Sequence, residues 1–256
     1  LLERQCASCA AHRGASADRK GRGNAEHESS SMKAMVLAAG RGERMRPLTD
    51  TLPKPLLHVG GERLIEFHLR RLHSAGFREV VINTAWLGDL IPAALGDGSR
   101  YGLSIRYSHE RPAALETGGG VFHALPLLGP EPFLVVNGDV WSDIDFATLR
   151  LPAGATGHLV LVPNPPQHTR GDFGLREGFV VDNDQSARWT YSGVGIYTSE
   201  FFAGAQPGKF PLLPYLKRAI SNCALTGQLH SGRWFDIGTP ERLARLDLEL
   251  RAASSP

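Results

Sequence analysis

The stretch Gly40-Arg-Gly-Glu-Arg44 concentrates groups that handle phosphate. It follows the apolar run Met35-Val-Leu-Ala-Ala39, which reads as a buried strand. The two glycines therefore open a loop where phosphate oxygens can approach backbone N–H groups. Arg41, Arg44, Arg46 and Lys54 surround that loop with positive charge. Such a site suits a nucleoside triphosphate, because backbone donors cradle the anion while guanidinium forks and a lysine point charge neutralise it. The Walker A spacing Gly-x-x-x-x-Gly-Lys-Ser/Thr is absent, and no third glycine opens a helix as a dinucleotide fingerprint requires. A second chemical centre is Asp139, which ends the apolar run Phe133-Leu-Val-Val-Asn-Gly-Asp139 where an open α/β sheet presents groups to a ligand. Magnesium takes one or two carboxylates together with phosphate oxygens and water, and Asp139 supplies one carboxylate. Asp143-Ile-Asp145 also has the spacing of a metal motif but lies past the strand, so Asp145 reads as the cap of a helix beginning at Phe146.

These groups need a frame. Leu64 to Gly76 carries apolar residues at helical spacing and stops at a glycine, with His68 and His73 read as ordinary helical histidines. Glu79-Val-Val-Ile-Asn83 reads as a buried strand, Leu87 to Leu95 as a helix, and Ser104-Ile-Arg-Tyr-Ser108 as an alternating strand. In His109 to Gly120, three glycines precede a helix over Val121-Phe-His-Ala-Leu125 and form a second backbone-lined surface. From Gly157 the segments shorten into an added β layer: His158–Val162, Phe173–Val181 and Trp189–Tyr197. A helix over Leu212 to Ile220 tolerates Pro214 in its first turn, and Thr239 and Pro240 start a final helix with Leu243, Leu246 and Leu250 on one stripe. The fold class is α/β, a Rossmann-like mixed, mostly parallel central sheet flanked by helices.

Composition bounds the partners. With 256 residues, 42% hydrophobic and 21% charged, the chain has enough apolar material for one globular domain, expected over residues 32–256. A formal net charge of +2 gives no basic surface for nucleic acid, and no long apolar segment argues for a membrane. Three cysteines, Cys6, Cys9 and Cys223, form no disulfide framework of the secreted kind, so a cytoplasmic setting is expected. Residues 1–31 have almost no large apolar side chains beyond Leu1 and Leu2 and read as a vector-derived leader that cannot bury a core. Cys6-Ala-Ser-Cys9 has no second pair to complete a zinc site.

Gly40-Arg-Gly-Glu-Arg44, with Pro47, Thr49 and Pro53-Lys-Pro55, resembles the signature of the sugar-1-phosphate nucleotidylyltransferases. The resemblance runs from Met32 to about Arg251 and implies a glycosyltransferase-A-like sheet. Glu43 stands where most members carry threonine. It further implies that Leu37, Ala38, Ala39, Gly40 and Gly42 bind the nucleotide, that Arg44 and Lys54 serve the phosphates, and that Glu110, Thr117 and Gly118 read the base. Asp236, in Asp-Ile-Gly-Thr-Pro240, becomes the second magnesium ligand beside Asp139. Asn137, Gly174, Tyr191, Ser192 and Gly193 become sugar contacts, with Ala187-Arg-Trp189 near the place of the family's usual Glu-Lys-Pro. The implied substrates are UTP and a sugar 1-phosphate, N-acetylmuramic acid 1-phosphate first, with mannose 1-phosphate and GTP or glucose 1-phosphate as alternatives. The lactyl carboxylate of the first acceptor must be paired with a cation, for which Arg170, Arg188 and Arg233 are candidates, or left in water. A glycosyltransferase would leave Lys54 without a role, and a non-catalytic relative would not need Arg44, Lys54, Asp139 and Asp236 together.

Overall fold

The computed structural model describes residues 32–183 and 187–254. The leader and its Cys6-x-x-Cys9 pair lie outside the described residues. In chain order the elements are β1 (Lys33–Leu37), β2 (His58–Val59), β3 (Glu62–Arg63), α1 (Leu64–Ser74), β4 (Glu79–Thr84), α2 (Leu90–Leu95) and β5 (Ser104–His109). Then come α3 (Glu116–Leu128), β6 (Phe133–Asn137), β7 (Val140–Ser142), β8 (Gly157–Val162), β9 (Phe173–Arg176) and β10 (Phe179–Val181). The chain closes with β11 (Arg188–Tyr197), α4 (Leu213–Ser221), β12 (Leu225–Leu229), β13 (Trp234–Asp236) and α5 (Pro240–Ser254).

Strands β5, β4, β1 and β6 lie side by side and parallel, as their apolar sequences and helical connections lead one to expect. Beyond β6 the sheet changes character. β11 runs antiparallel to β6 and β8, and the nine-stranded order continues through β12, β10 and β9. The expected added β layer is thus the far half of the same sheet, with the β9–β10 hairpin turning back so that β9 also pairs with the start of β11.

Period-two alternation along β1 divides the core. Ala34 and Val36 face α1 residues Ile65, Leu69 and Leu72, whereas Met35 faces α3 residues Val121, Ala124 and Leu128. A third cluster joins Met45, at the end of the glycine loop, to Leu57, Leu64, Trp141, Ile237, Leu243 and Leu246. That cluster fastens the glycine loop to α5, which brings together residues two hundred positions apart. Each of these buried aliphatic side chains contributes roughly 1.5–3 kcal/mol relative to exposure.

One local expectation is corrected. Gly118, Gly119 and Gly120 do not precede the helix but lie inside its first turns, because α3 starts at Glu116. Glycine weakens a helix interior, yet here any added Cβ would collide. At Gly118 it would lie 2.7 Å from the Phe210 ring, at Gly119 2.3 Å from the Gly208 carbonyl, and at Gly120 2.5 Å from Glu110 Oε1. Close packing, not loop flexibility, accounts for the run. No helix among the described residues is long and apolar enough to cross a membrane.

Candidate active site

The parallel strands end together, and their ends carry polar residues. In the ladder, Leu37 at the end of β1 stands between Asn83 of β4 and Asn137 of β6. Two apolar strands, Val-Val-Ile-Asn83 and Leu-Val-Val-Asn137, thus close on an amide on either side of the glycine loop. Asn83 is buried; it accepts from the Ala38 N–H at 2.7 Å and donates to Glu110 Oε1 at 2.6 Å. The second Glu110 oxygen accepts from the Leu115 N–H at 2.6 Å. Glu110 therefore ties β5 to the start of α3, with one lone pair per oxygen left over. The sequence pointed to Glu110 as a base reader; it did not point to Asn83, whose signal was an amide ending an otherwise apolar strand.

Gly42 has φ 69°, a left-handed conformation that suits glycine, and it starts a single tight turn over Glu43–Met45. Thr49 Oγ1 donates to the Gly42 carbonyl at 2.8 Å and holds the loop closed. The backbone N–H groups of Gly40, Arg41 and Gly42 take no hydrogen bond among the described residues, so they are free to meet phosphate oxygens. The four cations around the loop have different occupations. Arg41 lies over the Trp86 ring at 3.5 Å and donates to the Thr49 carbonyl. Arg46 pairs with Asp50 at 2.8 Å. Arg44 is exposed and has no carboxylate partner among the described residues. Lys54 is buried, with its Nζ 2.8 Å from Asp139 Oδ2.

Asp139 reaches its place because the chain crosses the end of β1. The Gly138 N–H donates to the Leu37 carbonyl at 2.9 Å, and a Cβ at 138 would lie 2.5 Å from that oxygen. Asp236 arrives from the other end of the sequence through the β7–β13 ribbon, where it stands opposite Val140. The Ile237 N–H donates to the Asp139 carbonyl at 2.9 Å, so Asp139, just before β7, lies beside the end of β13 that carries Asp236. Asp236 is ion-paired with Arg242, in the first turn of α5, a residue the sequence did not single out. Beneath them His68 is buried on α1, and that burial pushes its imidazole down to about 4, outweighing a hydrogen bond to the Val140 backbone. It stays neutral under the carboxylates at neutral pH.

A cavity of about 340 Å³ opens over these groups. Its lining includes the glycine-loop residues Gly40, Gly42 and Arg44 with Leu37, Ala38, Ala39 and Lys54, the polar residues Asn83, Glu110 and Thr117, and Asn137, Asp139 and Gly238. Gly118 is buried against Phe210 just behind Thr117. A phosphate loop, an amide-and-carboxylate wall and a paired lysine and aspartate share one enclosure large enough for much of a nucleotide.

The family model described as nucleotidyl transferase matches residues 33–185, the part of the chain that carries the loop, Lys54 and Asp139. The chain belongs to the nucleotidyl transferase family. It is 54% identical over 220 residues to the N-acetylmuramate alpha-1-phosphate uridylyltransferase of Neisseria meningitidis serogroup B, covering 83% of this chain and 95% of that protein. Identity to the protein of the same name from Caulobacter vibrioides is 38%, over 87% of this chain and 97% of the relative. The fold matches a crystal structure of a putative glucose-1-phosphate thymidylyltransferase from Bacillus anthracis with TM-score 0.75 and 20% identity, covering 88% of this chain and 98% of that one.

In this nucleotidyl transferase, of the residues expected to touch the sugar, Asn137 lines the cavity and Gly174, Tyr191, Ser192 and Gly193 do not. Gly193, with φ 79°, sits at a bulge of β11, where a Cβ would come within 2.7 Å of Asn137 Nδ2. The Ser192 side chain is buried and accepts from the Val194 N–H, while its carbonyl accepts from the Trp234 indole at 2.9 Å. The Tyr191 hydroxyl is 2.9 Å from that of Tyr197, and burial pushes the Tyr191 phenol up to about 12. Its hydroxyl therefore faces Tyr197 in the core, and Gly193 is the residue that borders Asn137. Gly174 is buried in β9, opposite Arg188. Of the three arginines considered for a carboxylate, Arg188 pairs with Asp182 at 3.3 Å, and Arg233 pairs with Glu249 at 3.2 Å while lying over Trp141. Arg170 is exposed, in the connection that follows β8.

Proposed function

We propose that the chain transfers uridine monophosphate from UTP to N-acetylmuramic acid α-1-phosphate, releasing pyrophosphate and forming the UDP-sugar for peptidoglycan recycling in the cytoplasm. The observation that carries the reading is the gathering of Lys54, Asp139 and Arg44 in one cavity around a glycine loop whose N–H groups are free, with the Asp236 strand joined to Asp139 through the Ile237 N–H. The base and sugar are supported by the names of the relatives from Neisseria and Caulobacter, which this chain matches over nearly their whole length.

A sugar phosphate is already a nucleophile, so neither a covalent residue nor a strong base is required. One of its oxygens attacks the α-phosphorus of UTP. The new P–O bond forms as the bond to the oxygen bridging α- and β-phosphorus breaks, and pyrophosphate departs with the electron pair. Acceleration then comes from holding two anions in line and neutralising the charge that moves. Lys54 offsets charge on the α-phosphoryl group, Arg44 receives the departing phosphates, and the N–H groups of residues 40–42 fix the triphosphate.

The donor chemistry fits magnesium, because Asp139, just before β7, and Asp236, at the end of β13, offer hard carboxylate oxygens, and each is already held against a cation, Lys54 or Arg242. These two residues would hold the ion, which supplies positive charge to the phosphate oxygens when bound. The test is pyrophosphate release across UTP, GTP, CTP and dTTP, each with N-acetylmuramic acid, N-acetylglucosamine, glucose and mannose 1-phosphates. Turnover confined to UTP with the lactyl sugar is the expected result; preference for GTP with mannose 1-phosphate would replace the substrate assignment.

A further inference from the structure

Arg242 occupies an unusual place. It lies in the first turn of α5, where the helix dipole disfavours a positive charge, so helix stability does not account for it. Its Nη1 pairs with Asp236 and reaches the Asp236 carbonyl. Its Nη2 donates no hydrogen bond among the described residues and lies beside Gly238, which lines the cavity; a Cβ there would be 2.9 Å from it. Arg44 Nη2 approaches the same position from the glycine loop, at 3.1 Å from that Cβ. Two guanidinium nitrogens thus flank one glycine, no farther apart than those two distances together. Like charges held so close repel. Asp236 is ion-paired with Arg242, whereas no carboxylate is ion-paired with Arg44 among the described residues.

We propose that Arg242 is a second pyrophosphate-binding arginine, which with Arg44 brackets Gly238 and receives the β- and γ-phosphates of the nucleotide and then the departing pyrophosphate. Its two nitrogens divide the work: Nη1 orients Asp236, and Nη2 is presented to the anion. Gly238 is the residue that keeps the gap open, since a side chain there would fill the space between the two forks. A dianion in that gap pairs with both arginines and removes their repulsion. The proposal rests on the nucleotidyl-transfer reading for its ligand, but its test does not need turnover.

Inorganic pyrophosphate is titrated calorimetrically into the full chain in EDTA, with wild type compared with Arg242→Ala, Arg242→Lys, Arg44→Ala and Arg245→Ala. Arg245 is the control, an exposed residue of the same helix paired with Glu249. The expected result is binding to wild type and Arg245→Ala, at least about tenfold weaker in Arg242→Ala and Arg44→Ala, and intermediate in Arg242→Lys, which keeps charge but loses the fork. Circular dichroism checks that each variant is folded, and the lysine variant keeps the test decisive if alanine unfolds the helix. Wild-type pyrophosphate affinity in both Arg242 variants would overturn the proposal and leave Arg242 as a positioning residue for Asp236. Absence of pyrophosphate binding to wild type would overturn it as well. Failure of every nucleotide and sugar pair in the turnover assay, with pyrophosphate binding intact, would overturn the functional reading instead.

Discussion

At the scale of single residues, the four cations around the glycine loop separate by what already holds them. Arg41 is stacked on Trp86 and Arg46 is paired with Asp50, whereas Arg44 is open to the cavity and Lys54 points at Asp139. Arg44→Ala and Lys54→Ala should therefore lower turnover by about two to three orders of magnitude, the usual cost of a lost charge-stabilising donor. Arg41→Ala and Arg46→Ala should change it by less than about tenfold. Single-turnover kinetics on the four variants checks the ranking; equal losses at all four positions would replace the specific roles with a diffuse electrostatic funnel. The two aspartates should separate in a different measurement. Asp139→Asn and Asp236→Asn are both expected to cut turnover by on the order of a hundredfold. Asp139→Asn additionally leaves buried Lys54 without its partner, so it should lose about 1–3 kcal/mol of folding stability, a range that allows for the part-exposed Asp139 side. Urea unfolding of both variants tests this, and equal stability would mean that Lys54 finds another partner.

At the scale of elements, two groups of glycines serve opposite purposes. Gly40 has open space where a Cβ would go, while Gly120 has Glu110 Oε1 at 2.5 Å and Asn83 Nδ2 at 3.0 Å. Gly120→Ala must push apart a buried amide and carboxylate that hold α3 on β4 and β5, and a loss of about 2–4 kcal/mol is expected. Gly40→Ala should unfold within about 0.5 kcal/mol of wild type, as surface substitutions do, and weaken only nucleotide binding. Denaturation midpoints and the KM for UTP, measured on both, separate the two purposes. A stable Gly120→Ala protein would show that α3 can move away from Glu110 without cost.

At the scale of the whole molecule, burial of His68 links global stability to pH. Its folded value of about 4 lies below the ordinary 6.5, so between those limits the unfolded chain binds a proton that the folded chain refuses. Stability is full above about pH 6.5 and falls as pH drops towards 4, by on the order of 3 kcal/mol from this one group. Replacing His68 with leucine should flatten the profile in that window, read by urea midpoints between pH 7 and 4.5. An unchanged slope would assign the acid sensitivity to other groups. The third core cluster makes such coupling global, since Met45, Leu64, Ile237 and Leu246 pack the phosphate loop, α1 and α5 against one another.

Much of this was legible along the chain because it is local. Period and punctuation placed β1, α1, β4 and β5 within a few residues, Asp145 caps its short helix through the Ala147 N–H as read, and Pro214 stands in the first turn of α4. The glycine loop, Lys54 and Asp139 could also be chosen from residue type and strand position, since a strand end faces the ligand in any open α/β sheet. Other features depended on what meets across space. A run of three glycines reads as a loop until Phe210, Gly208 and Glu110 are packed against it, and then it is the part of a helix that has no room for side chains. Tyr191 reads as a sugar contact until its hydroxyl is found against Tyr197. Arg242 carries no local signal beyond a charge on the wrong end of a helix. Its pairing with Asp236 and its approach to Arg44 exist because the β7–β13 ribbon brings residue 236 beside residue 139, and contacts of that sequence separation are set by sheet register and core packing rather than by any neighbour in the sequence.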